Sequence, residues 1–238
     1  MGVHPMNNWK VRILAVLAAV AFGSATAEAG VSIDWDPVNF YAPPTSTPSN
    51  QPAGNSLTGV GTVSAFGPPF AFLNAADPTK EYTIYVYGLA SLGTVTIGSP
   101  GLQFYTTNYA GGTIEIYEDL SPDHAYGVNP PNGTAPSTFS DGTLLLKGVF
   151  TRFLVQTNDF TAFQVGNIEG DITWTGGTLL ALTNQGGQPC PGLFTGGMTW
   201  RTTVVPQGYL FTHDGKIDLN CPTPALPATW GQLKGQYR

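Results

Sequence analysis

Glu169 and Asp171 stand two residues apart in the stretch 164–175, which alternates as a β-strand does, so both carboxylates leave one face about 6.5–7 Å apart. At that spacing one carboxyl can protonate a glycosidic oxygen while the other acts as base or nucleophile. A solvated strand face produces the same pair, and no further acid of a glycosidase signature accompanies it. The sequence therefore assigns no catalytic residue. Tyr85 and Tyr87 share a face of the run 81–87 and, with Glu169 and Asp171, are the residues from which a ligand face can be built. A half-buried sheet uses tyrosines in the same way, apolar body inward and hydroxyl wet. Glu118, Asp119, Asp123 and Asp141 bracket the turn-rich segment 119–140, an oxygen-rich composition of the kind a Ca²⁺ site uses, at spacings that match no EF-hand loop. The expectation is a fold that requires no cofactor or metal, with Ca²⁺ as the one candidate ion. His124 and His213 are the only histidines after residue 29. His213-Asp214-Gly215 reads as a hairpin turn, and without a Gly-x-Ser-x-Gly it makes no hydrolase triad.

Cys190 and Cys221 are the only two cysteines, neither has a His or Cys at ligand spacing, and they form no Cys-x-x-Cys. An even pair in an exported chain reads as a disulfide. Export is indicated by residues 1–29: Lys10 and Arg12, the apolar run 13–22, then small residues with cleavage after Ala27 or Ala29, the pattern of a signal peptide and too short for a lasting membrane anchor. Cleavage leaves a net charge of −8 or −7 and no basic cluster, which excludes nucleic acid and anionic membrane surfaces as partners.

The elements that must position these groups are strands. Only 10% of the 238 residues are charged, against about 25% in an ordinary domain, and Gly and Pro number 30 and 20, a composition of strands and turns. The stretch 143–155 is apolar at both alternating sets of positions, which predicts a central strand covered on both sides. In 164–175, Ile168, Ile172 and Trp174 point inward while Glu169 and Asp171 face water, and Gly176-Gly177 predicts a primed hairpin turn into a strand at 178–182. Further strands are expected at 31–35, 57–66, 81–87, 94–97, 102–109, 113–118, 198–205 and 208–219, with a surface loop at 42–55. Pro222, Pro224 and Pro227 mark a linker, after which Trp230, Leu233 and Tyr237 recur at helical spacing. The organisation expected is a signal peptide (1–29), one all-β antiparallel β-sandwich of jelly-roll type (30–221), and a Pro-rich linker with a C-terminal tail (222–238).

At 114–123, 138–148, 170–180 and 208–217 the chain resembles exported bacterial β-sandwich proteins that carry exchangeable C-terminal anchors, the PEP-CTERM type among them. It departs from them in having no Pro-Glu-Pro followed by a hydrophobic span and an arginine cluster. The resemblance implies a secreted or envelope-associated bacterial protein with no catalytic residues to carry over. The function expected is a non-enzymatic structural or interaction role at the cell envelope or in the extracellular matrix. The alternatives are a carbohydrate-binding module and, behind it, a glycan-active enzyme. The partners expected are a glycan or an envelope or matrix protein, with residues 230–238 addressing export or attachment machinery.

Overall fold

The computed structural model describes residues 30–128, 131–160, 163–201 and 203–221. The expected leader and tail lie outside the described residues. Among the described residues ten strands form: β1 (Val31–Tyr41), β2 (Ser56–Phe66), β3 (Glu81–Ser99), β4 (Leu102–Asp119), β5 (Thr143–Phe160), β6 (Phe163–Gly176), the two-residue β7 (Asn184–Gln185) and β8 (Gln188–Pro189), β9 (Gly192–Thr199) and β10 (Phe211–Leu219). The all-β expectation holds, but the architecture is a closed barrel and not a sandwich. Its strand order is β1-β10-β9-β6-β5-β4-β3-β2, with only the β7–β8 ribbon outside it, so each barrel strand is antiparallel to its neighbours in the chain. Closure depends on β1, which pairs with β2 along one side and with β10 along the other. Nothing in a sequence period reports that the first and last strands meet.

Several strands are longer than the alternation suggests. The runs at 81–87 and 94–97 are one strand, β3, and those at 102–109 and 113–118 are one strand, β4. Gly111 and Gly112 are internal to β4, and at Gly93 (φ 92°) the register of β3 slips between Ser91 and Thr94, a bulge that bends the strand without ending it. The last strands sit differently from expectation as well, at 192–199 and 211–219 in place of 198–205 and 208–219.

β5 corrects the reading of 143–155 as a strand buried on both faces. Leu146 and Phe150 point into the barrel, then a register shift between Phe150 and Arg152 changes the parity, and Phe153, Val155 and Thr157 point inward instead. From Leu146 onward the double-sided apolar pattern is thus one buried face seen on either side of a bulge, with Val149 37% exposed on the outer wall, while Leu145 is buried at a second register shift, opposite Ile116 and Tyr117. The stretch 178–182 is not a strand: Leu180–Thr183 is a 3₁₀ turn, and β6 pairs with β9 instead.

The barrel interior is filled with side chains, as an eight-stranded barrel has just the width for. Trp35, Phe40, Phe153, Phe194 and Phe211 are fully buried in one cluster with Ile33, Leu57 and Ile84. Inward-facing glycines make room for the rings: a Cβ at Gly59 would stand 2.7 Å from Phe40 Cε1, and one at Gly170 2.9 Å from Phe150 Cε1. Small residues opposite large ones are how a narrow barrel accommodates rings. The outer wall is polar at mid-height, carrying Lys147 with Glu115 and Arg152 with Glu169 and Asp171. Apolar inside and charged outside is the reverse of a lipid-facing barrel. Among the described residues no helix is long and apolar enough to cross a membrane.

Two additions complete the fold. The segments 120–128, 131–140 and 203–210 cover part of the outer wall, forming a second small core of Val60, Phe139 and Tyr209 against Tyr85 and Tyr126. At one end β3 to β6 run on past the start of β2, whose pairing with β3 stops at Ser56 and Ala90. The inner side of this projection is held by the 42–55 loop, through Gln51 N–H to Thr94 Oγ1 (2.8 Å) and Thr157 Oγ1 to the Pro48 carbonyl (3.3 Å). Cys190 and Cys221 are bonded, as expected, tying the segment before β9 to the end of β10. In the chain-entropy model a loop of this length stabilises by roughly 3–4 kcal/mol.

Candidate functional site

The carboxylate pair lies where the alternation places it, on the outward face of β6. The residue that decides its chemistry is Arg152, opposite Asp171 at the β5 bulge. Its Nε donates to Asp171 Oδ2 at 2.7 Å, Nη2 to Asp171 Oδ1 at 3.4 Å, and Nη1 to Glu169 Oε2 at 3.1 Å. One guanidinium therefore holds both carboxylates. This is a surface ion network worth on the order of 1 kcal/mol, and neither group is free to act as acid or nucleophile while it stands. Sequence alternation alone misses Arg152, because the bulge moves it onto the face of Glu169 and Asp171.

Tyr85 and Tyr87 do form an outward pair, stacked at 4.6 Å between ring centroids and 24° between planes. Both are half-buried, Tyr85 beneath the second core. Tyr87 donates to Glu115 Oε1 (3.0 Å), Tyr117 to Glu115 Oε2 (2.7 Å), and Lys147 Nζ to Oε1 (2.7 Å). Burial works to raise the pKa of Glu115, but the hydrogen bonds from Lys147, Tyr117 and Tyr87 outweigh it and hold the carboxyl below its ordinary range. The hydroxyls of Tyr87 and Tyr117 are thus already committed within the protein.

The acidic loop is rearranged relative to expectation. Asp119 and Asp123 come together with Glu81, their ligand atoms within 4.8 Å of one another. Glu118 faces away, accepting from Lys80 Nζ (2.6 Å) and Tyr82 OH (3.1 Å). Asp141 touches the cluster only through its field, which with those of Asp119 and Glu81 adds to desolvation in raising the pKa of Asp123. Glu81 is itself occupied: Oε1 accepts the backbone N–H of Asp123 and His124, and Oε2 meets His124 Nδ1. Its place in the cluster comes from β3–β4 pairing, which sets Glu81 opposite Asp119, a long-range relation that spacing in the loop does not report.

His213 lies in the middle of β10 and not in a turn, fully buried against Trp35, Phe194 and Phe40. Burial pushes its pKa down to about 3, so the ring is neutral. Enclosed and flanked by aromatics, it takes part in packing and in no accessible chemistry.

The fold and these sites define an up-and-down eight-stranded barrel with a filled interior, whose reachable groups all lie on its outer wall and its projecting end. Comparison of the chain with protein-family models, with curated proteins and with solved structures returned no match.

Proposed function

We propose that the chain is an exported, non-enzymatic protein with a structural or interaction role at the bacterial cell envelope or in the extracellular matrix. The observation that carries this reading is the outer face of the projecting β3–β4 hairpin. Val95, Ile97, Leu102 and Phe104 are 57%, 65%, 62% and 49% exposed there, and Ile97 lies directly opposite Phe104. Contiguous exposed apolar surface of this kind marks interaction sites. The leader pattern of residues 1–29, the disulfide and the resemblance to exported bacterial proteins support a setting outside the cytoplasm. Residues 230–238 fit the same reading as an element that addresses export or attachment machinery.

The test is co-sedimentation of the purified protein with isolated bacterial envelopes. The reading expects the wild type in the pellet and the double variant Ile97→Lys, Phe104→Lys in the supernatant with its melting temperature kept. Equal partition of the two proteins contradicts it.

The Tyr85–Tyr87 pair carries a second reading, a carbohydrate-binding module, in which the partly exposed ring of Tyr87 would offer a sugar its aromatic surface, Tyr85 being covered by the second core. Retention on insoluble polysaccharides that disappears in Tyr85→Ala, Tyr87→Ala would favour it over the first. A glycan-active enzyme ranks third, because it requires Glu169 and Asp171 to leave Arg152.

A further inference from the structure

A groove of about 480 Å³ crosses the outer wall where β1, β10, β9 and β6 lie side by side. Asp36 and Pro37, at a bulge in β1, line one side of it, and Val165 and Gly166 of β6 the other. Between them lie Thr212 and Asp214 of β10 and Gly197 of β9, with Val204 contributed by the 203–210 segment.

Three features give this groove a chemistry. A Cβ at Gly197 would find no atom within 4 Å, so the floor stands open above the backbone. Asp36 and Asp214 both line the groove, and neither enters an ion pair among the described residues. Asp214 is held above its ordinary carboxyl range by burial and by the fields of Asp36 and Asp34, a condition that a positive charge would relieve. Thr212, only 7% exposed, lines the same groove, and its hydroxyl has no hydrogen-bond partner. A buried polar atom left without a partner is unfavourable, and a ligand that supplied one would relieve it.

We infer that this groove binds an organic ammonium group, a primary amine head carried on an alkyl stem. The head has charge partners in Asp36 and Asp214, and one of its N–H bonds suits the unpartnered Thr212 hydroxyl, which can accept it. The stem has an open glycine floor and the apolar side chains of Val165 and Val204 to lie against. Anions are repelled by the two carboxylates. A bare metal ion lacks ligands here, since the only close trio of ligand side chains among the described residues is Glu81, Asp119 and Asp123, away from this groove. A sugar has no aromatic ring to stack on, because none lines the groove. The inference does not depend on where the protein acts, so it stands or falls separately from the envelope reading.

A free alkylamine and a lysine side chain of another protein share this head. The experiment is amide-shift NMR of the processed protein titrated with n-pentylamine, its uncharged counterpart 1-pentanol, and Nα-acetyl-lysine N-methylamide. Saturable shifts are expected at Gly197, Thr212 and Asp214 with the amines, and binding of pentanol weaker by about tenfold or more. Asp36→Asn and Asp214→Asn should each weaken the amines roughly fivefold, the loss of one exposed charge partner. Gly197→Leu should abolish binding while leaving the melting temperature in place. Tighter binding of the lysine derivative assigns the site to a protein partner, and tighter binding of pentylamine to a free amine; either order supports the ammonium site. Pentanol binding as well as pentylamine, binding indifferent to all three substitutions, or no saturable shift would overturn it.

Discussion

Trp35 Nε1 donates a hydrogen bond of 3.2 Å to His213 Nδ1 inside the barrel, joining β1 to β10 across 178 positions of the chain. Because the indole can only donate, Nδ1 must be the bare nitrogen of the imidazole, and the neutral ring carries its proton on Nε2. That nitrogen faces the Gly196 backbone but has no partner with hydrogen-bond geometry. Protonating the ring would break the Trp35 bond and bury a charge among Phe194, Phe40 and Trp35.

Stability should therefore fall with acid in a window belonging to His213. Its folded pKa of about 3 lies below the unfolded value of about 6.5, so as pH drops the unfolded chain takes up the proton first. The contribution is complete above pH 6.5 and drains away toward pH 3 at about 1.4 kcal/mol per unit. From pH 6.5 to 5, before most carboxylates titrate, the loss is about 2 kcal/mol, or roughly 4–8 °C in melting temperature. His213→Leu should show a clearly flatter pH dependence over that interval. Parallel curves for variant and wild type would refute the buried neutral imidazole.

Adjacent glycines on β9 should respond very unequally to the same substitution. A Cβ at Gly196 would stand 2.2 Å from the Asp214 carbonyl oxygen and 2.4 Å from Gly215 Cα, and backbone cannot retreat as a side chain can. Gly196→Ala should cost at least about 2 kcal/mol, whereas Gly197→Ala, facing open space, should fall within about 0.5 kcal/mol of wild type. Thermal melts of the two variants decide this, and equal effects would mean that the β9–β10 register is wrong.

Individual strand faces were legible in the sequence, as the alternation of Tyr82, Ile84 and Val86 against Tyr85 and Tyr87 shows, with the first three buried. Closure was not, since it rests on β1 pairing with β10 and no local pattern records that partnership. Bulges hid the rest. The shift at Arg152 turned a one-faced strand into an apparently two-faced one and concealed the cation that neutralises Glu169 and Asp171. Glu81 escaped notice because strand pairing, not loop spacing, brings it to Asp119. The disulfide was readable because an even cysteine count beside a leader-like pattern at residues 1–29 needed no geometry.

Calcium should leave the fold unchanged. Glu81 already accepts two backbone N–H groups and meets His124, so an ion at the Glu81–Asp119–Asp123 cluster would have to compete for it. After chelation, adding millimolar Ca²⁺ should move the melting temperature by no more than a degree or two. A rise of many degrees that disappears in Asp119→Asn, Asp123→Asn would establish a structural ion.

Deleting residues 223–238 should leave the melting temperature nearly unchanged. β10 is paired on both sides, by β1 and by β9, so the closed barrel has no open edge there for those residues to cap. The truncation is expected to alter the partition of the protein between medium and envelope. A substantially lower melting temperature with the partition unaltered would make the tail structural.

A role outside the cytoplasm is tested by expressing the full chain in a bacterial host, fractionating the cells, and determining the N-terminus and thiol content by mass spectrometry. The protein is predicted in the envelope or medium, beginning at Glu28 or Gly30, with Cys190 and Cys221 unavailable to alkylation after unfolding without reductant. An unprocessed chain beginning at Met1, retained in the cytoplasm with two alkylatable thiols, would contradict it.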